Sequence, residues 1–174
     1  MELTFAELTE SPIGTISFMA GETGLKKVSF CALSVLKNDL NLRDAMPSLQ
    51  GLNILGQLLA EMKKYLLGQQ KDFTIAIDWN IFGGFQSRVL EMTAKIPYGE
   101  VLTYGDIARR LSMPKAARAV GNALRSNPVP IVIPCHRVIG SDGGLAGYIG
   151  GLERKAYLLR LEGHTIKKNE LAAA

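Results

Sequence analysis

The sequence predicts an α/β N-terminal domain, a small antiparallel sheet with a helix, followed by a mainly α C-terminal domain with a helix-turn-helix. Three observations predict this: short apolar runs between turn residues near the start, one long segment with helical spacing, and two short helical segments joined by a proline-containing turn. The 174 residues suffice for one domain or two small ones. Gly83-Gly84 is the expected hinge, which gives domains over 1–82 and 85–168 and a flexible tail over 169–174.

The N-terminal elements follow from apolar spacing and from the turn residues Ser11-Pro12 and Gly21 between them. The predicted strands cover Leu3–Leu8, Gly14–Met19, Leu25–Phe30 and, by alternation, Phe73–Trp79. Apolar residues at helical spacing predict a helix over Leu49–Leu67, which ends at Gly68. Nothing in residues 1–82 resembles a chemical site, and we expect a scaffold.

The C-terminal elements are helices. One amphipathic helix is predicted over Phe85–Lys95. A second begins at Thr103, because Asp106 three residues later completes a capping box, and it runs to about Leu111. A third covers about Lys115–Ser126. A short helix, a turn and a basic helix make a helix-turn-helix pattern, although helical hairpins without DNA share it.

Composition and charge limit the class of protein. With 47% hydrophobic and 21% charged residues, the chain is typical of a folded protein, and it has no apolar stretch of the roughly 18 residues needed to span a membrane. The first 11 residues hold three glutamates and no Lys or Arg, unlike a signal peptide, so we expect a cytoplasmic protein (nuclear in a eukaryote). Residues 1–85 carry seven basic and nine acidic residues, whereas 86–174 carry 13 and seven. The second half is basic, as a phosphate-binding surface requires.

The third C-terminal helix has small residues nearly all round. They are Ala116, Ala117, Ala119, Gly121 and Ala123, with Arg118 and Arg125 between and after them. Small residues allow close packing on a neighbouring helix, or close approach of the backbone to a narrow groove into which an arginine reaches. The residues alone leave both interpretations open.

Two scarce residue types stand together at Cys135-His136, after the apolar run Ile131–Ile133. A cysteine beside a histidine is either a nucleophile with its base, because imidazole favours the reactive thiolate, or a buried structural cysteine. The other cysteine, Cys31, is expected to be a buried packing residue. Two cysteines and two histidines give no disulfide framework and no recognisable zinc spacing, so we expect no metal and no cofactor.

Several motifs in order resemble the O6-alkylguanine-DNA alkyltransferases. Pro134-Cys135-His136-Arg137-Val138, preceded by Asn127-Pro128-Val129-Pro130, is similar to the family's active-site signature. The resemblance spans roughly Phe85–Ile166 and includes Tyr104, Ala117–Gly121, Gly147-Tyr148 and Glu162-Gly163-His164. It implies a ribonuclease-H-like N-terminal domain and, in the C-terminal domain, irreversible single-turnover transfer of an alkyl group from O6 of guanine to a cysteine.

The resemblance also implies roles for individual residues in catalysis. Cys135 is the alkyl acceptor, His136 takes the thiol proton through a water, and Glu162 orients that imidazole. Asn127 holds the turn and the cysteine region, and Tyr104 donates a proton to the guanine ring.

The same resemblance implies a DNA interface and a base pocket. Arg118 replaces the flipped base in the stack, and the helix enters the minor groove. The expected DNA contacts are Thr103, Ala116, Ala117, Arg118, Gly121 and Arg125. The carbonyls of Cys135 and Val138 accept from the guanine amino group, and backbone N–H groups near Tyr148-Ile149 meet O6. The family often has serine where this chain has Ile149.

The expected partner is double-stranded DNA containing O6-alkylguanine, bound by a monomer with no membrane association. Two other functions stay open at this point: a non-catalytic binder of alkylated DNA, and a Cys/His hydrolase that turns over. A hydrolase gives no reason for Arg118 or for the basic helix pair.

Overall fold

The computed structural model describes residues 2–42 and 45–172, and the chain divides into two compact units, Met1–Ile81 and Phe82–Ala174. No helix of the described residues is both long enough and apolar enough to cross a bilayer.

The first unit contains a three-stranded antiparallel sheet in the order β1-β2-β3. Its strands are β1 (Thr4–Leu8), β2 (Ile16–Ala20) and β3 (Leu25–Ser29), each within two residues of its predicted bounds. Phe18 pairs with Ala6 on one side and with Val28 on the other, and it is fully buried. The alternation of the sequence thus directs one face of the sheet into the core.

Two helices belong to this unit. The predicted helix is α2 (Leu49–Leu66), which begins at the capping residue Ser48 and ends before Gly68, whose φ is 71°. Its buried face carries Leu58, Met62 and Tyr65, which are fully buried. The helix α1 (Leu33–Asp39) was not predicted, because it is only seven residues long and has no capping side chain.

The prediction of a strand over Phe73–Trp79 is wrong. Only Ile77 forms an isolated bridge, with Leu25, before a single 3-10 turn over Trp79–Ile81. Buried carboxylates occupy the backbone on either side of this bridge. Glu61 accepts from the N–H of Thr74 (2.9 Å), and Asp78 accepts from the N–H of Asn80 (3.1 Å). These bonds replace a strand ladder.

The second unit is mainly helical. Its helices are α3 (Gly84–Ala94), α4 (Tyr104–Arg110), α5 (Ala117–Arg125) and α6 (Leu152–Leu161). Helices α4 and α5 form the predicted helix-turn-helix, although α5 begins two residues later than predicted, with Ala116 as its capping position. Thr103 caps α4 in the predicted capping box: its Oγ1 accepts from the N–H of Asp106 (3.0 Å), and Asp106 Oδ2 accepts from the N–H of Thr103 (2.8 Å).

Two short strand pairs complete this unit. The strand β4 (Leu102–Thr103) runs parallel to β5 (Val138–Ile139), and it therefore ties the start of α4 to the segment that follows Cys135. The strands β6 (Ile166–Lys167) and β7 (Glu170–Leu171) form a hairpin, and Leu171 packs against a buried cluster that includes Leu159. Regular structure thus extends into the predicted flexible tail, whose residues 173 and 174 lie outside the described residues.

Two glycines of α2 provide a matched stability prediction. Gly56 is exposed with nothing within 4 Å of an added Cβ, so Gly56→Ala should raise the free energy of unfolding by about 0.5–1 kcal/mol. At Gly51 an added Cβ would lie 2.4 Å from Thr4 Oγ1 and 2.9 Å from Ser48 Oγ, so Gly51→Ala should lower it by about 1–3 kcal/mol. Urea unfolding of the three proteins measures both values. Stabilisation by both substitutions would contradict the packing of Gly51 on Thr4.

Candidate active site

A cavity of about 610 Å³ opens in the second unit between α4, α5 and the segment 140–149. Of the predicted site residues, it is lined by Tyr104, Ala117, Arg118, Gly121, Arg125, Cys135, Tyr148 and Ile149. The structure therefore brings together residues that lie up to 45 positions apart in the sequence. Ala116 and Thr103 lie at the capping positions of the two helices, and the hydroxyl of Thr103 is engaged in its capping box.

Cys135 lies at the inner wall of this cavity and is only 5% exposed. It begins a 3-10 turn, Cys135–Arg137, after Pro134. Its Sγ accepts a hydrogen bond from Nδ2 of Asn127 (3.1 Å), which also donates to the carbonyl of Ile133 (3.1 Å). Oδ1 of Asn127 accepts from the N–H of Val129 (3.0 Å). One fully buried amide thus holds both the sulfur and the turn before it.

That turn contains an unusual backbone conformation. Ile131, which is 1% exposed, has a φ of 74°, a value that β-branched residues rarely adopt. The hydrogen bonds of Asn127 to residues 129 and 133 lie on either side of it. This conformation persists because the surrounding hydrogen bonds and packing fix it.

Burial dominates the acidity of the thiol. It raises the pKa of Cys135 from 9.0 to about 11, although the hydrogen bond from Asn127 and the charge of Lys155 act in the opposite direction. In the resting protein Cys135 is therefore a thiol. A separate group must remove its proton when it reacts.

His136 is suited to take that proton. It is fully buried, and its Nε2 donates to Oε1 of Glu162 (2.9 Å), which leaves Nδ1 as the basic nitrogen of the neutral ring. Burial lowers the pKa of His136 despite the opposing effect of Glu162. The imidazole is therefore neutral near pH 7 and able to accept a proton.

Arg137 is a site residue that the sequence reasoning left without a role. Its guanidinium is bound to both oxygens of Glu162, with Nε–Oε2 at 2.9 Å and Nη2–Oε1 at 2.8 Å. Its Nη1 donates to the carbonyl of Ile96 (2.6 Å), and the guanidinium lies 5.8 Å from the ring centroid of Tyr98. The feature of the sequence that could have identified this role is a charged residue directly before the apolar pair Val138-Ile139.

Tyr104 stands at the first position of α4, directly after its capping residue. Burial raises its pKa, a nearby Cys135 thiolate raises it further, and Arg125 acts in the opposite direction. The phenol therefore keeps its proton at neutral pH and is able to donate it. Gly121 of α5 faces this ring, because an added Cβ would lie 3.7 Å from it.

Arg118 and Arg125 are both exposed and line the cavity from α5. Ala117 and Gly121 of the same helix line the cavity beside them. The outer wall of the cavity therefore combines two cations with a surface of small residues, which lets another molecule approach the backbone closely.

The segment after the thiol forms the opposite wall. The ring of Tyr148 packs edge-on against His136, with centroids 6.4 Å apart, and Ile149 is 45% exposed. Val138 is fully buried, and its carbonyl accepts from Nζ of Lys155 (2.5 Å). A guanine amino group would share that carbonyl with Lys155, which the sequence reasoning did not identify.

Cys31 lies in the first unit and is partly exposed, so the expectation of a buried residue was wrong. Among the described residues there is no group of three or more His, Cys, Asp or Glu side chains able to hold a metal ion.

Fold and site together define a class of protein. A small sheet-containing unit is followed in the chain by a helix-turn-helix unit, and the cavity of the second unit is lined by a buried cysteine. Residues 84–164 match the family description "6-O-methylguanine DNA methyltransferase, DNA binding domain", and residues 5–79 match the ribonuclease-like domain of the same description. The methylated-DNA–protein-cysteine methyltransferase of Methanosarcina acetivorans is 39% identical over 88% of this chain and 95% of the relative. The chain belongs to the methylated-DNA–protein-cysteine methyltransferase family.

Solved structures are similar over nearly the whole length. The crystal structure of Mycobacterium tuberculosis O6-methylguanine methyltransferase has a TM-score of 0.77 and 34% identity, with 92% of both chains covered. The structure of Mycobacterium tuberculosis OGT in complex with DNA has a TM-score of 0.75 and 34% identity, with 91% of both chains covered. The family inferred from the sequence and the predicted fold class are confirmed.

The buried Arg137–Glu162 pair provides a stability prediction for the site. Arg137→Met leaves the Glu162 carboxylate buried without its main counter-charge, so we expect the free energy of unfolding to fall by about 3–5 kcal/mol. Arg109→Met is the control, because its ion pair with Asp106 is exposed and should contribute less than about 1 kcal/mol. Urea unfolding at pH 7 measures both. Equal small effects would show that the buried pair does not hold the turn.

Proposed function

We propose that this protein repairs double-stranded DNA by transferring the alkyl group from O6 of an alkylated guanine to its own Cys135, irreversibly and once per molecule. The observation that carries the proposal is the position of Cys135 at the inner wall of a 610 Å³ cavity whose outer wall is the helix-turn-helix. The names of the relatives, which include methylated-DNA–protein-cysteine methyltransferases and an OGT–DNA complex, support the same reaction.

The proposed chemistry is a displacement at the alkyl carbon. The sulfur of Cys135 attacks that carbon, an S–C bond forms, and the bond from the carbon to O6 breaks. His136 accepts the thiol proton, through a water, and Glu162 bonded to Nε2 stabilises the resulting imidazolium. Tyr104 donates a proton to the departing guanine. The proton that His136 took from the thiol then returns to the phenolate of Tyr104. In sum the thiol proton moves to guanine, so the reaction balances without a cofactor.

The proposed DNA contacts follow the exposed side of α5. Arg118 and Arg125 bind the duplex, and Arg118 fills the space of the guanine that rotates out of the stack into the cavity. Unstacking costs a few kcal/mol, and a guanidinium in the vacated position offsets part of that cost. Ala116, Ala117, Gly121 and Thr103 are proposed to lie along the minor groove, where readout is degenerate and repair does not depend on sequence. One chain provides the walls of the cavity, so a monomer suffices. Its proposed location is the cytoplasm (or the nucleus of a eukaryote).

The decisive test is intact-protein mass spectrometry after mixing with excess duplex DNA that contains O6-methylguanine. We expect one methyl adduct per molecule, located on Cys135 by peptide mapping, and an equal amount of restored guanine. Cys135→Ala should acquire no methyl group and still bind the damaged duplex, because the helix-turn-helix is unchanged. Cys31→Ala is the matched control and should react like the natural protein.

Each alternative function gives a different result in the same experiment. Tight binding of the lesion by an unmodified natural protein would favour a non-catalytic damage binder. A thiol hydrolase would neither bind the lesion nor acquire a methyl group in this experiment, and with small amide or ester substrates it would release product repeatedly.

A second prediction concerns base flipping. Arg118→Ala should slow repair of duplex DNA about tenfold or more, whereas the reaction with free O6-benzylguanine, which needs no flipping, should change less than about twofold. Lys64→Ala, which removes an exposed charge from α2, is the control and should change neither rate. Equal slowing of both substrates by Arg118→Ala would exclude a flipping role and indicate damage to the cavity itself.

A further inference from the structure

Lys155 of α6 is a charged residue that is fully buried, and it has no role in the reaction described above. Burial of an ammonium group is costly unless other groups replace its water. Among the described residues it forms no ion pair with a carboxylate. A chain does not retain such a group for stability alone, since an apolar side chain of similar length would avoid the cost.

Three backbone carbonyls replace the water around the ammonium. Nζ donates to the carbonyls of Val138 (2.5 Å) and Leu145 (2.5 Å) and, more weakly, of Gly147 (3.5 Å). Val138 directly follows the 3-10 turn that begins with Cys135, and Gly147 precedes Tyr148 on the far wall of the cavity. The ammonium is therefore held by carbonyls at both ends of the segment that runs from the catalytic turn to the far wall of the cavity.

The groups that face this charge are few. Burial lowers the pKa of Lys155 to about 8, and the thiolate form of Cys135 opposes that effect by favouring the protonated amine. His136 experiences the same positive charge, which contributes to its lowered pKa. The neighbouring Arg137 and Glu162 neutralise each other, and the phenol of Tyr104 is uncharged because its pKa is raised.

We infer that Lys155 is a positioning residue whose buried ammonium provides the counter-charge for the Cys135 thiolate at the moment of alkyl transfer. The inference rests on the proposed function, and it adds a stabilising positive charge to the base that removes the proton. His136 removes the proton, and Lys155 stabilises the anion that remains. The three carbonyls hold the ammonium in place without neutralising it.

This arrangement gives the thiol an unusual pH profile. Up to about pH 8, the lysine is protonated and the thiolate fraction rises tenfold per pH unit. Above that, the lysine loses its proton first, because the thiol has the higher pKa, and the pair then holds one proton between its two members. The share of thiolate beside ammonium is then constant, so the reaction rate should level off from pH 8 until thiolate beside neutral lysine becomes equally abundant. With a coupling of about one pKa unit this happens near pH 9, and above it the rate rises again.

The experiment is alkylation of Cys135 by iodoacetamide between pH 6.5 and 10.5, followed by peptide mapping, which needs no DNA. The natural protein should show the plateau. Lys155→Arg keeps a charge that does not titrate, so its rate should rise tenfold per pH unit without a plateau. Lys155→Met should react about tenfold more slowly at pH 7.5, since an adjacent opposite charge lowers a pKa by about one unit or more. Lys155→Gln, which keeps donors but no charge, should resemble Lys155→Met.

Lys167→Met, at an exposed lysine of β6, is the control and should match the natural protein. Far-ultraviolet circular dichroism and thermal unfolding identify any variant that does not fold. If Lys155→Met or Lys155→Gln does not fold, the inference is tested by the pH profiles of the natural protein and of Lys155→Arg. A constant tenfold rise in the natural protein, or a Lys155→Gln rate equal to that of the natural protein, would overturn the inference. Because iodoacetamide reports on the thiol alone, failure of the proposed repair reaction would show separately, as a missing adduct from methylated DNA.

Discussion

The site depends on one buried carboxylate. Glu162 accepts hydrogen bonds from Nε2 of His136, from the guanidinium of Arg137 and from the N–H of Gly99 (3.2 Å). These partners belong to the catalytic turn and to the segment before β4, while Glu162 itself ends α6. Three separate parts of the chain therefore meet at two oxygen atoms. The Arg137 charge allows the Glu162 carboxylate to stay ionised although it is buried. The ionised carboxylate orients the imidazole with Nδ1 as its basic nitrogen.

Burial has opposite consequences for stability and for reactivity at this site. It keeps Cys135 protonated and His136 neutral in the resting protein. The same burial raises the free energy of forming the thiolate that attacks the alkyl carbon. Nearby groups offset that cost: the amide of Asn127 donates to the sulfur, and the charge of Lys155 favours the anion. The thiol is therefore the resting form, and these two groups favour its conversion to the thiolate.

Much of this could be predicted from the sequence, and the limits have physical causes. Local patterns gave the three strands, the long helix and the capping box at Thr103, because alternation, helical spacing and a cap involve neighbouring residues. The strand over Phe73–Trp79 failed because the distant Glu61 carboxylate occupies the N–H of Thr74 and only Ile77 pairs with β3, through an isolated bridge. Arg137 and Lys155 went unrecognised for the same reason. Their partners are a carboxylate 25 residues away and carbonyls up to 17 residues away, and no local pattern encodes such pairs.

The proposed single turnover follows from the chemistry of the product rather than from a missing residue. A cysteine hydrolase with the same thiol, imidazole and carboxylate forms a thioester, whose carbonyl carbon is open to attack by water that the imidazole activates. An alkyl group on Cys135 forms a thioether, which has no carbonyl, and a thiolate is a poor leaving group from a saturated carbon. His136 and Glu162 then lack an electrophile to act on, however well they are placed. The same three residues therefore support a catalyst or a reagent that is consumed, and the atom bound to sulfur decides between them.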